Sequence, residues 1–140
     1  MRCFFLRKIT RILLILYTSL LIYWMLFGFS RFPSDEYRYN LVPFLTIKQY
    51  VDNFDHFPFW TWLINIVGNI GVFIPFGILM PLAFQRLRKI ASFLATFVIG
   101  IAVLETSQLL LRVGSFDVDD IILNSIGALM GYVMVWIIIK

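Results

Sequence analysis

Four stretches of this chain are too long and too apolar for a water-soluble domain to bury. Residues 12–29 and 57–84 carry no charge, residues 90–111 are interrupted by Glu105 alone, and residues 121–139 carry none. A helix of roughly 20 apolar residues crosses a bilayer, because backbone groups in hydrocarbon must bond to one another. Composition agrees. Hydrophobic residues make up 61% of the chain and charged residues 14%, against about 25% charged in a soluble domain. Too little polar surface exists to coat a soluble particle. The sequence therefore predicts an all-α membrane protein, a bundle of four transmembrane helices forming a single domain over residues 1–140.

The basic residues predict its orientation. Arg2, Arg7, Lys8 and Arg11 precede the first span, Arg86, Arg88 and Lys89 follow the second, and Lys140 follows the fourth. The remaining four, Arg31, Arg38, Lys48 and Arg112, fall at the opposite end. Lysine and arginine are enriched on the cytoplasmic side, so both termini are expected in the cytoplasm. The first span is read as uncleaved, since it is long for a signal core and no small-residue cleavage site follows it. Cys3, the sole cysteine, has no disulfide partner within the chain and reads as an ordinary thiol facing the cytoplasm. All eight acidic residues fall toward the outer end. That end is the expected working face.

The first outer loop, about residues 30–57, is long for a connection. Phe44, Ile47, Val51 and Phe54 recur at steps of three, four and three, which is one face of a helix. A short amphipathic helix lying in the interface is expected, started by Pro43 or Thr46. The aromatics of "FDHFPFWTW" suit the headgroup belt. That helix serves equally as an anchor or as a wall of a site.

Polar residues inside the spans supply the candidate site. Asn65 and Asn69 stand one turn apart on a face shared with Gly68 and Val72. Small residues let helices approach, and amides bond between them, so packing and ligand contact both fit this face. Pro75 removes a helix hydrogen bond and predicts a kink. Glu105, Gln108 and Arg112 share a face of span three, with Glu105 about 10 Å below Arg112. A carboxylate inside a span costs at least ~2.5 kcal/mol and is a functional candidate by default. Asp120, Asn124, Gly127 and Gly131 share a face of span four. Asp119 or Asp120 is expected to cap that helix. Asp117 and the remaining aspartate are then free for Arg112, either as a clasp closing the bundle or as the mouth of a ligand site. Glu105 or an aspartate is expected within salt-bridge reach of Arg112, because an unpaired charge so near hydrocarbon is costly.

Other chemistries find little footing. The lone His56 has no second imidazole or thiol for a zinc site. The carboxylates offer oxygen ligands, but nothing in the spacing demands a metal or another cofactor. No Ser-His-Asp constellation is legible, and no nucleic-acid motif is present.

Three stretches resemble a known family: "NLVPFLTI", "NIVGNIGVFIPFGILMPL" and "ETSQLLLRVGSFDVDDIILNSIGALMGY". The chain is similar to the VanZ-like integral membrane proteins over about residues 40–132. The third stretch is the most specific, with Glu105, Gln108, Arg112, Asp117, Asp120, Asn124 and Gly127 in the family's places. The resemblance implies a small multispan protein of the bacterial cell envelope with a role in resistance to teicoplanin, a lipoglycopeptide-like antibiotic. Residue chemistry and resemblance together lead to a polar site in the outer leaflet. Its ligand residues are expected to be Asn65, Asn69, Glu105, Gln108, Arg112, Asp117, Asp119, Asp120 and Asn124. Its partner is a membrane lipid, a lipid-linked cell-wall precursor or an acylated glycopeptide. A guanidinium suits a phosphate because it binds two oxygens at once. Two alternatives stand beside this. One is an enzyme acting on a lipid-linked substrate, with Glu105 as acid or base and Asp120 or Asp117 as its partner. The other is a structural or regulatory subunit held by an Arg112–aspartate clasp.

Overall fold

The structure, a computed structural model, describes residues 2–28 and 31–138, with the side chains of residues 2–4 and 138 outside that description. Lys140 and the Cys3 thiol thus lie outside what is described. Four helices are long and apolar enough to cross a membrane. Helix α1 spans Arg2–Leu26. The second crossing joins α3 (Phe59–Leu63), a π-wound segment (Ile64–Gly68) and α4 (Asn69–Ala83). The third is α5 (Ile90–Leu110) and the fourth α6 (Val118–Ile138). The short helix α2, Leu45–Asp52, lies in the loop after α1. The expected architecture is present: four spanning helices and one short amphipathic helix.

Alternate crossings gather the charges at opposite ends. At the basic end, Arg11 Nε donates to the Ala83 carbonyl at 3.2 Å, and the Tyr132 hydroxyl donates to the Arg88 carbonyl at 2.6 Å. These bonds tie the start of α1, the α4–α5 loop and the far half of α6 together. Helix α1 begins well before residue 12, with Arg7, Lys8 and Arg11 in its first turns. Such side chains keep their charged heads toward water while their stems line apolar surface.

Helices α4 and α6 pack most closely, and glycines explain it. A Cβ at Gly127 would strike the Ile70 carbonyl oxygen, one at Gly131 the Ile74 carbonyl, and one at Gly77 the Ala128 carbonyl. The glycines of span two divide accordingly. Gly77 is a contact, Gly68 has only ordinary neighbours, and Gly71 faces open space. Beside this seam lies an aromatic core. Phe93 stacks on Tyr132 with centroids 4.8 Å apart, and Phe73 meets Phe97 edge-on at 5.7 Å. The outside of the bundle is apolar, as in Ile15, Ile99 and Ile137, which suits lipid contact.

Three features depart from expectation. Helix α4 runs through Pro75 and Pro81, while the change of winding falls earlier, at Ile64–Gly68. A π-wound turn inserts an extra residue into the helix and often accompanies a functional site. Second, α2 begins at Leu45, after Phe44 in the left-handed conformation at φ 65. Its inward side is Thr46, Ile47 and Tyr50, whereas Phe44, Val51 and Phe54 are largely exposed. Third, a small parallel ladder pairs β1 (Arg38–Asn40) with β2 (Ser115–Asp117), setting Arg38 opposite Ser115 and Asn40 opposite Asp117. It fastens the first acidic-end loop to the entry of α6.

Candidate functional site

The three aspartates before span four each have a separate partner set. Asp117 caps α6, its Oδ1 accepting from the Asp119 amide at 2.9 Å. It also accepts from Asn40 Nδ2 at 3.1 Å and from the Thr46 hydroxyl at 2.6 Å. Asp119 is fully buried and caps α2 instead of its own helix. Its carboxylate accepts from the Phe44 amide at 2.5 Å and the Ile47 amide at 3.0 Å. Asp120 turns inward, where Asn69 Nδ2 donates to it at 2.8 Å. The cap of α6 is therefore Asp117, and not Asp119 or Asp120 as expected. Burial, together with the negative charges of Asp120 and Asp117, raises the Tyr50 hydroxyl above the ordinary tyrosine value, keeping it neutral.

Beneath these caps lies a cavity of about 520 Å³ at the acidic end. All four spans contribute to its wall. From the second crossing come Asn65, Gly68, Asn69 and Val72, the four residues of one sequence face. Asn65 stands in the π-wound turn. Its own amide donates to the Thr61 carbonyl at 2.7 Å, leaving the side-chain oxygen for other partners. Helix α5 supplies Glu105 and Gln108, both buried. Gln108 donates to the Met25 carbonyl at 2.8 Å, fixing α5 to α1. Helix α6 supplies Asp120 and Asn124.

Arg112 does not join them. Helix α5 ends at Leu110, and Arg112 takes the left-handed conformation at φ 57. The helical face that the spacing implied therefore stops short of it. Its guanidinium lies over the Tyr37 ring, 5.6 Å from the centroid. Among the described residues no ion pair links it to Glu105, Asp117, Asp119 or Asp120. The expected Arg112–carboxylate clasp is corrected accordingly. Asp117 and Asp119 frame the site through their bonds to α2 and β1 but do not line the cavity.

The cations of the cavity are Arg31 and Arg38, which the sequence alone groups with the other loop charges. Arg31 Nη1 donates to the Val113 carbonyl at 2.9 Å, and its charge acts on both Glu105 and Asp120. Arg38 is exposed and stands at the rim, positioned by the β ladder. One signal was available for both. They are among the four basic residues placed at the acidic end.

Several buried polar atoms around the cavity have no protein partner: Glu105 Oε2, Asn124 Oδ1 and Arg31 Nε. A buried polar atom left unpaired costs about 1–3 kcal/mol. Glu105, Asn124 and Arg31 all line the cavity, and these three atoms lie closed within its wall, with almost no accessible surface of their own. Among the described residues no group of three His, Cys, Asp or Glu side chains converges to hold a metal.

The model of the VanZ/LLP1 family matches residues 14–139. Protein VanZ of Enterococcus faecium is 27% identical over 123 residues, covering 88% of this chain and 71% of that protein. No solved structure matches. The family match takes in the second half of the first spanning helix, the whole of the other three and every residue of the cavity wall, and on that ground the chain belongs to the VanZ/LLP1 family.

Proposed function

We propose that this protein acts in the outer leaflet of the bacterial cell membrane, where its cavity receives the polar head of an amphiphile. The positive-inside rule supports this orientation, because the basic end then faces the cytoplasm. The observation that carries the reading is the cavity wall. Buried acceptors on Glu105 and Asn124 and a buried donor on Arg31 stand unpaired around a space of about 520 Å³. A wall built only for packing would pair these atoms or replace them with apolar groups. Arginine at the rim suits a phosphate or carboxylate, which a guanidinium grips with two parallel bonds.

Family membership supports the cellular role we propose, resistance to teicoplanin. Teicoplanin has an acyl tail that partitions into the membrane, and vancomycin lacks one. A protein working in the outer leaflet disturbs that anchoring without touching the peptide target the two drugs share. Each methylene withdrawn from the bilayer is worth ~0.8 kcal/mol, so the discrimination can be large. Expression in a susceptible Gram-positive host is expected to raise tolerance to teicoplanin more than to vancomycin. Glu105→Gln and Asp120→Asn should weaken the effect at unchanged protein abundance. Equal protection against both drugs would point to an altered peptide target. No protection from well-expressed protein would remove the resistance role.

An enzyme acting on a lipid-linked substrate is the second reading. It draws on Glu105 and Asp120 lining one cavity, two carboxylates able to exchange a proton with a bound headgroup. Glu105→Asp separates the two, since a shortened acid cripples proton transfer but harms binding modestly. A changed lipid species in cells carrying the wild-type protein would favour the enzyme.

A further inference from the structure

Between α1, α4 and α5 lies a second space, a groove of about 490 Å³ with an almost wholly apolar lining. Leu14, Thr18 and Leu21 line it from α1, and Thr96, Gly100 and Val103 from α5. Both sets run at steps of four and three, so each is one helical face. Leu21 and Phe73 are buried core residues and close the groove at its inner end. Its other end reaches Phe84 and Leu87 in the basic α4–α5 loop. From Phe73 to Phe84 is about 16 Å at the helical rise, close to half of a hydrocarbon core of about 30 Å. The groove is therefore blind and about one leaflet deep, and that leaflet belongs to the basic end. Thr96 and Gly100 are exposed, and a Cβ at Gly100 would meet no atom within 4 Å, so the groove opens sideways to the bilayer.

Two arginines stand at the basic end of this groove. Arg11 precedes Leu14 by three residues, on the same face of α1. Its guanidinium lies over the ring of Phe84, a lining residue, 5.1 Å from the centroid, and its Nε donates to the Ala83 carbonyl at 3.2 Å. Arg88 Nε donates to the Pro81 carbonyl at 3.4 Å. Both guanidiniums thus gather at the last turn of α4. Capping that helix explains the two Nε bonds but not the rest of each group. Both side chains are exposed, and among the described residues no protein acceptor takes their terminal nitrogens.

We propose that the groove is a site for an anionic phospholipid of the cytoplasmic leaflet, with one acyl chain in the groove and the phosphate on Arg11 and Arg88. Charge complementarity selects the occupant. Arg7, Lys8, Arg86 and Lys89 belong to the same end in sequence, and all eight acids to the other. A zwitterionic head brings a cation of its own to this surface, whereas an anionic head does not. A guanidinium grips two phosphate oxygens at once, and basic pockets between helices on the cytoplasmic side hold anionic heads. This site is separate from the polar cavity and does not depend on what that cavity holds.

The test uses the full chain in phosphatidylcholine vesicles. These contain, at equal low mole fraction, either phosphatidylglycerol or phosphatidylcholine carrying a diazirine midway along one acyl chain. After photolysis, Thr18 and Thr96 are expected to carry several-fold more adduct from the anionic probe. Ile15 and Ile99, on the open apolar outside, should label equally with both. Arg11→Gln combined with Arg88→Gln should bring the ratio at Thr18 and Thr96 close to one. Gly100→Phe should do the same, because a helical side chain leans toward the N-terminus and here covers Thr96. Lys48→Gln removes a charge at the opposite end, and Gly71→Phe adds a ring at an exposed position outside the groove; both should keep the wild-type ratio. An equal ratio in the wild-type protein would mean that bulk lipid fills the groove, which overturns the proposal. A preference that survives loss of both arginines would overturn the headgroup contact, and one that survives Gly100→Phe would overturn the placement of the chain. A preference lost equally in Lys48→Gln would reduce the effect to overall charge and overturn the site.

Discussion

Asp117, Asp119 and Asp120 sit within one turn of α6, yet each serves a different element: α6 itself, α2 and the cavity. The sequence shows that there are too many acids for one cap. It does not show which goes where, because the recipients lie more than seventy residues away, at Phe44, Ile47 and Asn40. Asp119 has the least freedom. Its two oxygens hold the Phe44 and Ile47 amides, and Phe44 occupies a left-handed conformation that a bulky side chain rarely adopts. Asp119→Ala strands both amides at a cost of about 1–3 kcal/mol and releases Phe44. Amide hydrogen exchange across residues 45–52 is expected to quicken markedly in that variant, with Asp120→Ala leaving it unchanged. Unaltered exchange in Asp119→Ala would show that α2 is held by something else. Arg112 is the residue the sequence misplaced. Its step of four from Gln108 is a helical step only if the helix continues, and α5 stops two residues before it. Arg31, from a loop that carries no period to read, lines the cavity that Arg112 was expected to line.

Spacing found the faces of the long helices well, since a span repeats its period over many turns. Asn65, Gly68, Asn69 and Val72 meet at one cavity, as do Glu105 with Gln108 and Asp120 with Asn124. The elements it missed are short. Three-residue strands such as β1 and β2 contain no alternation to detect, and their pairing joins residues far apart in sequence. The π-wound turn is equally silent, because one extra residue in a uniformly apolar run shifts no visible boundary. Where glycine marks a close approach, the consequence for the element can be measured. At Gly127 any side chain meets the backbone of α4, and that backbone cannot swing aside as a rotamer can. Gly127→Val should cost about 1–3 kcal/mol, the usual range for overpacking, and lower the melting temperature in detergent by several degrees. Gly71→Ala meets nothing and replaces a poor helix former, so it should raise stability by about 0.5–1 kcal/mol. The two results together test whether α4 and α6 meet along the glycine seam. If Gly127→Val is as stable as wild type, they do not.

For the molecule as a whole, every proposal about lipid, antibiotic or chemistry depends on which end faces out. The fold brings the start of α1, the α4–α5 loop and the far half of α6 to one end, and Glu105, Arg31 and Asp120 to the other. By position in the sequence, eight of the twelve basic residues go with the first end and four with the second, a difference of four. Basic residues beside an anionic cytoplasmic leaflet are worth about 1 kcal/mol each, which makes a bias of about 4 kcal/mol for the basic end inside. That is roughly a thousandfold preference at 1.4 kcal/mol per decade. Acidic residues contribute little to this choice, so the outward acids follow from it and do not cause it. A reporter active only in the cytoplasm, fused after Lys140, is therefore expected to be active. One active only outside the cell, inserted beside Asp52, is expected to be active as well. Neutralising Arg86, Arg88 and Lys89 together should leave a mixed population, because it removes most of the difference in charge between the two ends. A single orientation with Asp52 inside would put the cavity in the inner leaflet, where an antibiotic acting from outside cannot be its ligand.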